Sequence, residues 1–469
     1  MRARSIVAFP ASLWDRLAAH MNAAVVERMG FGYCGMAGPA CQRRYMVREL
    51  DLPDDSEYGS QNEFHVALSA EHVARRAVRA RDCRAFLDVH SHPFAAEPTP
   101  SRIDRLNAVR QHRALSTWAH GLPLIRIIFG CEGVVWAGIQ RFPGGPVTPV
   151  DEIEVAGPDR LIRIQPRNAS PPAAEPARQS DVRTREVVGD AGITALRRLR
   201  VAVVGLGGTG SVASRLLAGA GVGELYCIDG DVIEAHNAPR LWYYSAGTES
   251  QMKATVAHRE ILRAFPDMRL ESVAEPFPAA RAQSALAAAS VVVCCVDHSA
   301  VRFALACWCA RRMIPLVDVG CGGRREGGRL VALGYQVRLQ APGGPCLVCN
   351  GLDTRQLEDP ETTTMKQRMG YIDGGEEVSG ELAVLTTRAA ADAVDVVLRY
   401  VTGYVPAVPW HVRGEMVSFR TIDASDAYPP WTDCPLCGSG SNSVLGTGEN
   451  WPGADTPPCP EGFHDAADQ

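Results

Sequence analysis

Val201-Ala-Val-Val-Gly205-Leu-Gly207-Gly208-Thr-Gly210 is the stretch that decides the fold. An unbroken apolar run of strand length breaks into a glycine-rich turn, and Ser211 to Gly219 follows with helical spacing. The glycines let backbone N–H groups approach phosphates, and the start of the helix favours their negative charge. Leu199 to Val204 and Glu224 to Ile228 read as strands on either side of that helix, so a doubly wound parallel sheet of the α/β class is expected. Ile228-Asp229-Gly-Asp231 closes the second strand with acids suited to a ribose hydroxyl. On these residues a nicotinamide- or flavin-dependent oxidoreductase fits nearly as well as an ATP-dependent enzyme.

Three further features separate the two. Asn237-Ala-Pro-Arg240 and Lys253 supply polar and cationic groups suited to a triphosphate. Val291-Val-Val-Cys-Cys-Val-Asp297 reads as a buried strand ending in a carboxylate, where ligands bind in open α/β sheets and where Mg²⁺ could be held; Arg302 lies one turn into the next helix. Cys346-Leu-Val-Cys349 and Cys434-Pro-Leu-Cys437 are two Cys-x-x-Cys knuckles that together make a closed four-thiolate structural zinc site. The 84 residues between them tie distant parts of one domain together.

This combination resembles the ThiF/MoeB/HesA family over about Arg183 to Cys437. The resemblance implies a Rossmann-like domain that adenylates the C-terminal glycine of a ubiquitin-like or sulfur-carrier protein, using ATP and Mg²⁺. It implies that Gly205, Gly207, Gly208 and Gly210 cradle the phosphates and that Asp229 and Asp231 lie by ribose and metal. It further implies that Asn237, Arg240 and Lys253 contact the triphosphate, with Asp297 supporting Mg²⁺ during transfer. A homodimer is implied too, in which Arg183 or Arg185 reaches the partner's ATP unless each is a solvated helix charge. The sequence departs from the family in two places. Leu241 follows Arg240 where the family has glutamine, and Asn350 to Asp433 contains no cysteine to form a thioester. That span, including Asp373-Gly-Gly-Glu-Glu-Val378, is expected to be a mobile crossover loop without its thiol. The acyl-adenylate should therefore pass to an external thiol, persulfide or amine, on a sulfur donor or a conjugating enzyme. Cys321 is either a substitute nucleophile or a structural cysteine.

Upstream the pattern is α+β. Leu13 to Arg28, Ala70 to Ala80 and Ser101 to Leu115 read as helices; Gly30 to Met36 and Arg84 to Val89 read as strands; Leu124 to Phe129 and Val134 to Ile139 read as a hairpin. The strand ending at Val89 runs into His90-Ser91-His92-Pro93. Alternate residues of a strand share a face, so His90 and His92 can offer both imidazoles to one metal ion. Ser101-Arg-Ile-Asp104 opens a helix and brings a carboxylate as third ligand, although Ser-x-x-Asp is also a capping box in its own right. Two histidines and a carboxylate leave the fourth position of a tetrahedral zinc open to water. Glu27, before the glycine-rich strand, is the candidate general base.

Glu, then His-Ser-His-Pro, then Ser-x-x-Asp is an order similar to that of the JAMM (JAB/MPN) metallopeptidases, over about the first 150 residues. The resemblance implies that His90, His92 and Asp104 hold zinc, that Glu27 activates the water, and that Ser101 helps stabilise the tetrahedral intermediate. Eleven residues separate His92 from Asp104, one more than the family's usual spacing. The extra residue falls among Pro93, Pro98 and Pro100, in a loop that tolerates insertion.

Composition fits these readings. The 469 residues carry 48 Lys+Arg against 53 Asp+Glu, a formal charge of −5, without the basic footprint of a nucleic-acid binder. No apolar stretch approaches the ~20 residues of a membrane span. The apolar run after Met1 meets Trp14-Asp15-Arg16 too early for a signal peptide, so a cytoplasmic protein with reduced thiols is expected. Of 15 cysteines, only the four knuckle residues gain a role. The expected domains are a JAMM-like unit over 1–157, a Pro/Ala-rich linker over 158–180, an adenylation domain over 181–445 and a flexible tail over 446–469. The two halves together suggest maturation or deconjugation of a Gly-Gly-ended protein followed by activation of its carboxylate. The rival readings are an NAD- or FAD-dependent oxidoreductase with a metal-binding accessory domain, and an inactive scaffold that binds a ubiquitin-like partner.

Overall fold

Among the described residues, two nine-stranded sheets form the two halves of the fold. The structure is a computed structural model, and it describes residues 4–39, 41–63, 65–69, 83–118, 121–170, 181–352, 376–377, 382–438 and 443–448. The first half runs β1 (Arg4–Pro10), α1 (Ala11–Met21), β2 (Met29–Ala37), β3 (Gln42–Asp51), β4 (Tyr58–Asn62), β5 (His65–Leu68) and β6 (Ala85–Ser91). It continues through α2 (Arg102–Trp118), β7 (Leu124–Phe129), β8 (Val135–Gln140), β9 (Val147–Pro149), β10 (Glu152–Ala156) and β11 (Leu161–Ile164). The sheet order is β11-β10-β1-β3-β2-β6-β7-β8-β9, with β4 and β5 forming a separate hairpin. Strand β6 is buried along its whole length. Its pleat sends Leu87 and Val89 into the core with Trp14, Leu17 and Met21 of α1, while Phe86 packs with Phe31 and Leu115 beneath α2. Asp88 and His90, in phase with Phe86, therefore face α2.

The second half runs α3 (Val182–Arg198), β12 (Arg200–Val204), α4 (Gly208–Gly219), β13 (Glu224–Ile228), α5 (Lys253–Ala264), β14 (Arg269–Val273), α6 (Ala280–Ala288) and β15 (Val291–Cys294). It ends with α7 (Ser299–Arg311), β16 (Leu316–Glu326), β17 (Arg329–Gln340), β18 (Glu376–Glu377), α8 (Ala383–Thr402), β19 (His411–Glu415) and β20 (Arg420–Asp423). The order is β14-β13-β12-β15-β16-β17-β19-β20, with β18 on β16. The first five strands of that order are parallel, and the rest are antiparallel. The doubly wound expectation holds at β12 to β15.

Three expectations need correction. Much of the span read as a crossover loop is folded: α8 buries Leu385, Ala389, Ala393, Val397 and Tyr400 against α4 and β16. The helix expected at Ala70 to Ala80, and residues 353–375 and 378–381 of the span, lie outside the described residues. The first unit does not stop at 157. β11 pairs with β10, Ala156 and Leu161 enter the second half's core, and the Tyr400 hydroxyl donates to Gly157 O at 2.8 Å. Only 171–180 of the expected linker falls outside the described residues. The tail begins as a strap: Gly446 N donates to Ala310 O at 2.9 Å and Gly448 N to Arg311 O at 2.8 Å, while Arg48 donates to the carbonyls of Ser443 and Leu445. Residues 449–469 are outside the described set.

The junction between the halves is charged and buried. Arg200 donates to Glu152 at 3.0 Å and to Glu154 at 2.9 Å; Arg44 donates to Glu154 at 2.6 Å and to Arg312 O at 2.7 Å; the Ser290 hydroxyl donates to Glu154 at 2.8 Å. Burial pushes both carboxyls up, but Arg200 and Arg163 around Glu152, and Arg44 and Arg200 around Glu154, hold them below the usual carboxylate range. Among the described residues, no helix is long and apolar enough to cross a membrane.

Candidate metal centre and nucleotide site

His90 lies near the end of β6, opposite Met29 of β2 and Ile128 of β7. His92 follows the strand and is fixed by its N–H, which donates to Phe129 O at 2.7 Å. Asp104 is held by the capping box: Asp104 N donates to Ser101 Oγ at 3.1 Å and Ser101 N to Asp104 Oδ2 at 2.7 Å. The capping-box reading of Ser-x-x-Asp is met, and the cap holds the Asp104 carboxylate beside the two imidazoles. His90 Nε2 lies 3.6 Å from Asp104 Oδ1, and His92 Nε2 lies 3.4 Å from Asp104 Oδ2. These separations are long for hydrogen bonds. They match the edge of a tetrahedron with metal–ligand bonds of ~2.05 Å, which is about 3.4 Å. His90 Nε2 is buried with no hydrogen-bond partner, an orphan that a metal ion would satisfy. Burial pushes the Asp104 carboxyl up, yet the His90 and His92 rings and Ser101 hold it far below the usual range, ionised as a ligand must be.

Glu27 joins this group from the segment before β2, with Oε1 3.7 Å from His92 Nε2. Its register is set from outside. Glu27 N donates to Asn62 O at 2.9 Å, Gln61 Nε2 donates to Glu27 O at 2.7 Å, and Arg28 N donates to Ser91 Oγ at 2.9 Å. Gln61, Asn62 and Ser91 were not singled out from sequence. Ser91 sits between the two histidines, so the motif contained the signal without showing its partner. Glu27, His90, His92 and Asp104 line a cavity of about 1020 Å³ walled by β2, β5, β6 and α2.

The glycine turn closes against β13 and β15. Gly205 has φ +84°, and a Cβ there would meet Cys295 O at 2.9 Å; a Cβ on Gly210 would lie 1.8 Å from Gly205 O. Gly207 has nothing within 4 Å of that position, so its backbone faces open space at the start of α4. Gly208 is flanked by the Arg240 side chain, whose Cδ would lie 3.0 Å from an added Cβ. The buried Asp229 carboxylate accepts from Leu206 N at 2.6 Å and Asp231 N at 2.8 Å. Burial pushes it up, against Lys253 and these donors. Lys253 Nζ lies 2.8 Å from Asp231 Oδ2. The buried Asn237 caps its own turn, with Oδ1 accepting from Glu234 N at 3.1 Å, and Asp297 is exposed just beyond β15. The turn, both acids, Arg240, Lys253 and Asp297 therefore share the C-terminal edge of the parallel strands, where open sheets bind ligands.

Arg183 and Arg185 stand apart on α3, paired with Glu186 and Asp190. Cys321 is half-buried in a second cavity of about 560 Å³, its Sγ 3.9 Å from Thr209 Oγ1 at the start of α4. Beside it lies a cluster that the sequence did not disclose: the fully buried Asp318 accepts from Arg302 Nε at 2.7 Å and Arg338 Nε at 3.1 Å.

Cys346, Cys349, Cys434 and Cys437 converge. Their sulfurs are separated by 3.8 Å (346 to 349), 3.7 Å (346 to 434) and 3.6 Å (349 to 437). A tetrahedral zinc with Zn–S bonds of ~2.3 Å has edges of about 3.8 Å. The four thiols and the His90, His92 and Asp104 set are the metal-competent groups among the described residues.

Residues 179–435 match the sequence profile of the ThiF family. Molybdopterin-synthase adenylyltransferase of Escherichia coli (strain K12) is 35% identical over 158 residues, 34% of this chain and 61% of that protein. The SAMP-activating enzyme E1 of Haloferax volcanii is 27% identical over 256 residues, 54% of this chain and 85% of that protein. Among solved structures, E. coli MccB with MccA-N7isoASN aligns with a TM-score of 0.47 at 19% identity, covering 56% of this chain and 76% of that one. The chain spans 61% and 54% of the lengths of the two molybdopterin-synthase adenylyltransferases it matches.

Proposed function

The chain belongs to the ThiF family, and from that premise we propose that it activates the C-terminal carboxylate of a ubiquitin-like or sulfur-carrier protein by adenylation. We propose further that its first half is a JAMM-like zinc peptidase that matures or releases the same protein. The family match supports the first reading. One observation carries the second: Glu27, His90, His92 and Asp104, from separate parts of the chain, converge at 3.4–3.7 Å on one cavity.

In the second half, the backbone at Gly207 and the start of α4 receive phosphate charge, and Arg240 and Lys253 neutralise more of it. Asp231 and Asp297 are the residues that would hold Mg²⁺, which would supply positive charge to screen the phosphates. With no cysteine between the knuckles, the acyl-adenylate is the end product on this chain, and an external thiol, persulfide or amine takes it. The four thiols would hold a structural zinc. The enzyme works as a homodimer in this proposal, with Arg183 or Arg185 as the residue crossing to the partner.

In the first half, His90, His92 and Asp104 would hold zinc, and the orphan His90 Nε2 together with the ionised Asp104 fits that ion. A zinc ion held there would supply a Lewis acid that lowers the pKa of a water toward ~7. Glu27 Oε1 takes up a proton on one side of the reaction and returns it to the leaving amine. Ser101 Oγ accepts from Asp104 N, which leaves its O–H to donate to the developing oxyanion.

ATP–pyrophosphate exchange that requires a Gly-Gly-ended protein tests the first reading; NAD or FAD carried through purification overturns it. Metal analysis should give two zinc ions per chain, falling to one in His90→Ala/His92→Ala. Two ions retained in that variant would sink the peptidase site.

A further inference from the structure

The cavity that holds the metal ligands continues past them along β6, and its floor is not apolar. Asp88 on β6 stands directly opposite Arg126 on β7 in the parallel register. Both share the α2-facing side with His90, both line the cavity, and they are only 6% and 4% exposed. Arg126 Nε and Asp88 Oδ2 are 3.6 Å apart, too far for a hydrogen bond. Asp88 Oδ1 and Arg126 Nε are both buried without a hydrogen-bond partner. Buried polar atoms are nearly always satisfied, and an orphaned pair aimed into a cavity beside a reaction centre marks a place for a ligand group.

The chemistry of that group follows from the pair. Asp88 offers one free acceptor and Arg126 one free donor, and their charges cancel. An ammonium gains from Asp88 what it loses against Arg126, and a carboxylate does the reverse. An aliphatic group leaves both atoms unpaired in a dry pocket. A primary carboxamide answers both, its NH₂ donating to Asp88 Oδ1 and its C=O accepting from Arg126 Nε. Asp88 is two residues from His90, a strand distance of about 6.8 Å, within reach of a glutamine side chain whose backbone lies at the ligands.

We propose that Asp88 and Arg126 form a specificity pocket that accepts the carboxamide of a glutamine following the glycine at the scissile bond. This rests on the peptidase reading above and names the first residue of the segment that leaves.

The test uses the full-length zinc-loaded protein and Gly-Gly-Xaa peptides in which Xaa is Gln, Glu, Lys or Leu. Cleavage of the Gln peptide should exceed each of the others by at least tenfold in kcat/KM, and the ratio should collapse toward one in Asp88→Asn/Arg126→Gln. Binding of the same peptides to Glu27→Gln, followed by calorimetry, separates the two readings. Tighter binding of the Gln peptide with no cleavage by the parent protein upholds the pocket and sinks the peptidase. Cleavage of all four peptides at similar rates sinks the pocket and leaves the peptidase standing. Equal binding of all four means that the pair holds only water, and this overturns the proposal without relying on any variant that might fail to fold.

Discussion

Ser91 Oγ accepts the Arg28 N–H at 2.9 Å while Ser91 N donates to Arg28 O at 2.9 Å, so the residue between His90 and His92 also sets the residue after Glu27. Glu27 and the two imidazoles are thereby tied to one pair of strands.

Replacing Ser91 with Ala leaves the half-buried Arg28 N–H without its Ser91 acceptor, at a cost of about 1 kcal/mol. Zinc content should stay at the parent value because His90, His92 and Asp104 are untouched, while peptidase kcat falls and KM moves little. Parallel zinc analysis and steady-state kinetics check this; unchanged kcat would mean that Glu27 is held without Ser91.

Gly207→Ala and Gly210→Ala should fail differently. A methyl on Gly210 strikes Gly205 O, so that variant should lose stability and nucleotide binding together. A methyl on Gly207 meets nothing in the protein and only blocks the approach of a phosphate, so thermal stability should hold while KM for ATP rises at least tenfold. Melting curves and pyrophosphate exchange on both variants give the comparison.

Cys434→Ser removes one corner of the thiol cluster from a buried position. Zinc should fall from two ions to one per chain, and the melting temperature with it, because binding energy at a closed four-thiolate site is folding energy. Retention of two ions in this variant would contradict a structural zinc at the knuckles.

The junction carboxylates give the protein a pH dependence with a definite sign. Glu152 and Glu154 are held below the usual carboxylate range by Arg200, Arg163 and Arg44, so their contribution is full at neutral pH and drains away as the pH falls through and below that range. Urea midpoints should drop from pH 7 toward pH 4. Arg200→Met, which strands buried acid, should cost about 3–5 kcal/mol at pH 7 and show a smaller acid-induced drop than the parent.

What the sequence disclosed is what local spacing can encode. His90 and His92 are one pleat apart, Asp104 is fixed by a cap three residues long, and each pair of knuckle cysteines shares a turn, so these groupings of side chains were legible without the fold. Glu27 was legible only as a residue type, because its position depends on Asn62, Gln61 and Ser91, which β4 and β6 bring to it from far along the chain. Strands β1, β3, β10 and β11 were not anticipated. Ile6 pairs with Glu152 and Ala8 with Glu154, so charged residues occupy strand positions buried against Arg200 of the second half together with Arg44 and Arg163 of the first. α8 was hidden for a related reason: its apolar face is built mainly from alanine and valine within a span otherwise rich in polar residues.

The strap from Ser443 to Gly448 also bears on the order in which the chain is made. Arg48 and the Leu445 carbonyl it binds are 397 positions apart. At about 5–20 residues per second, a ribosome needs roughly 20–80 s to travel from one to the other. Met313 can reach Met46 earlier in that interval, but the contact among Met46, Met313 and Leu445 closes only once Leu445 has been made. A nascent chain stalled before Ser443 would carry both cavities but leave that seam unsealed.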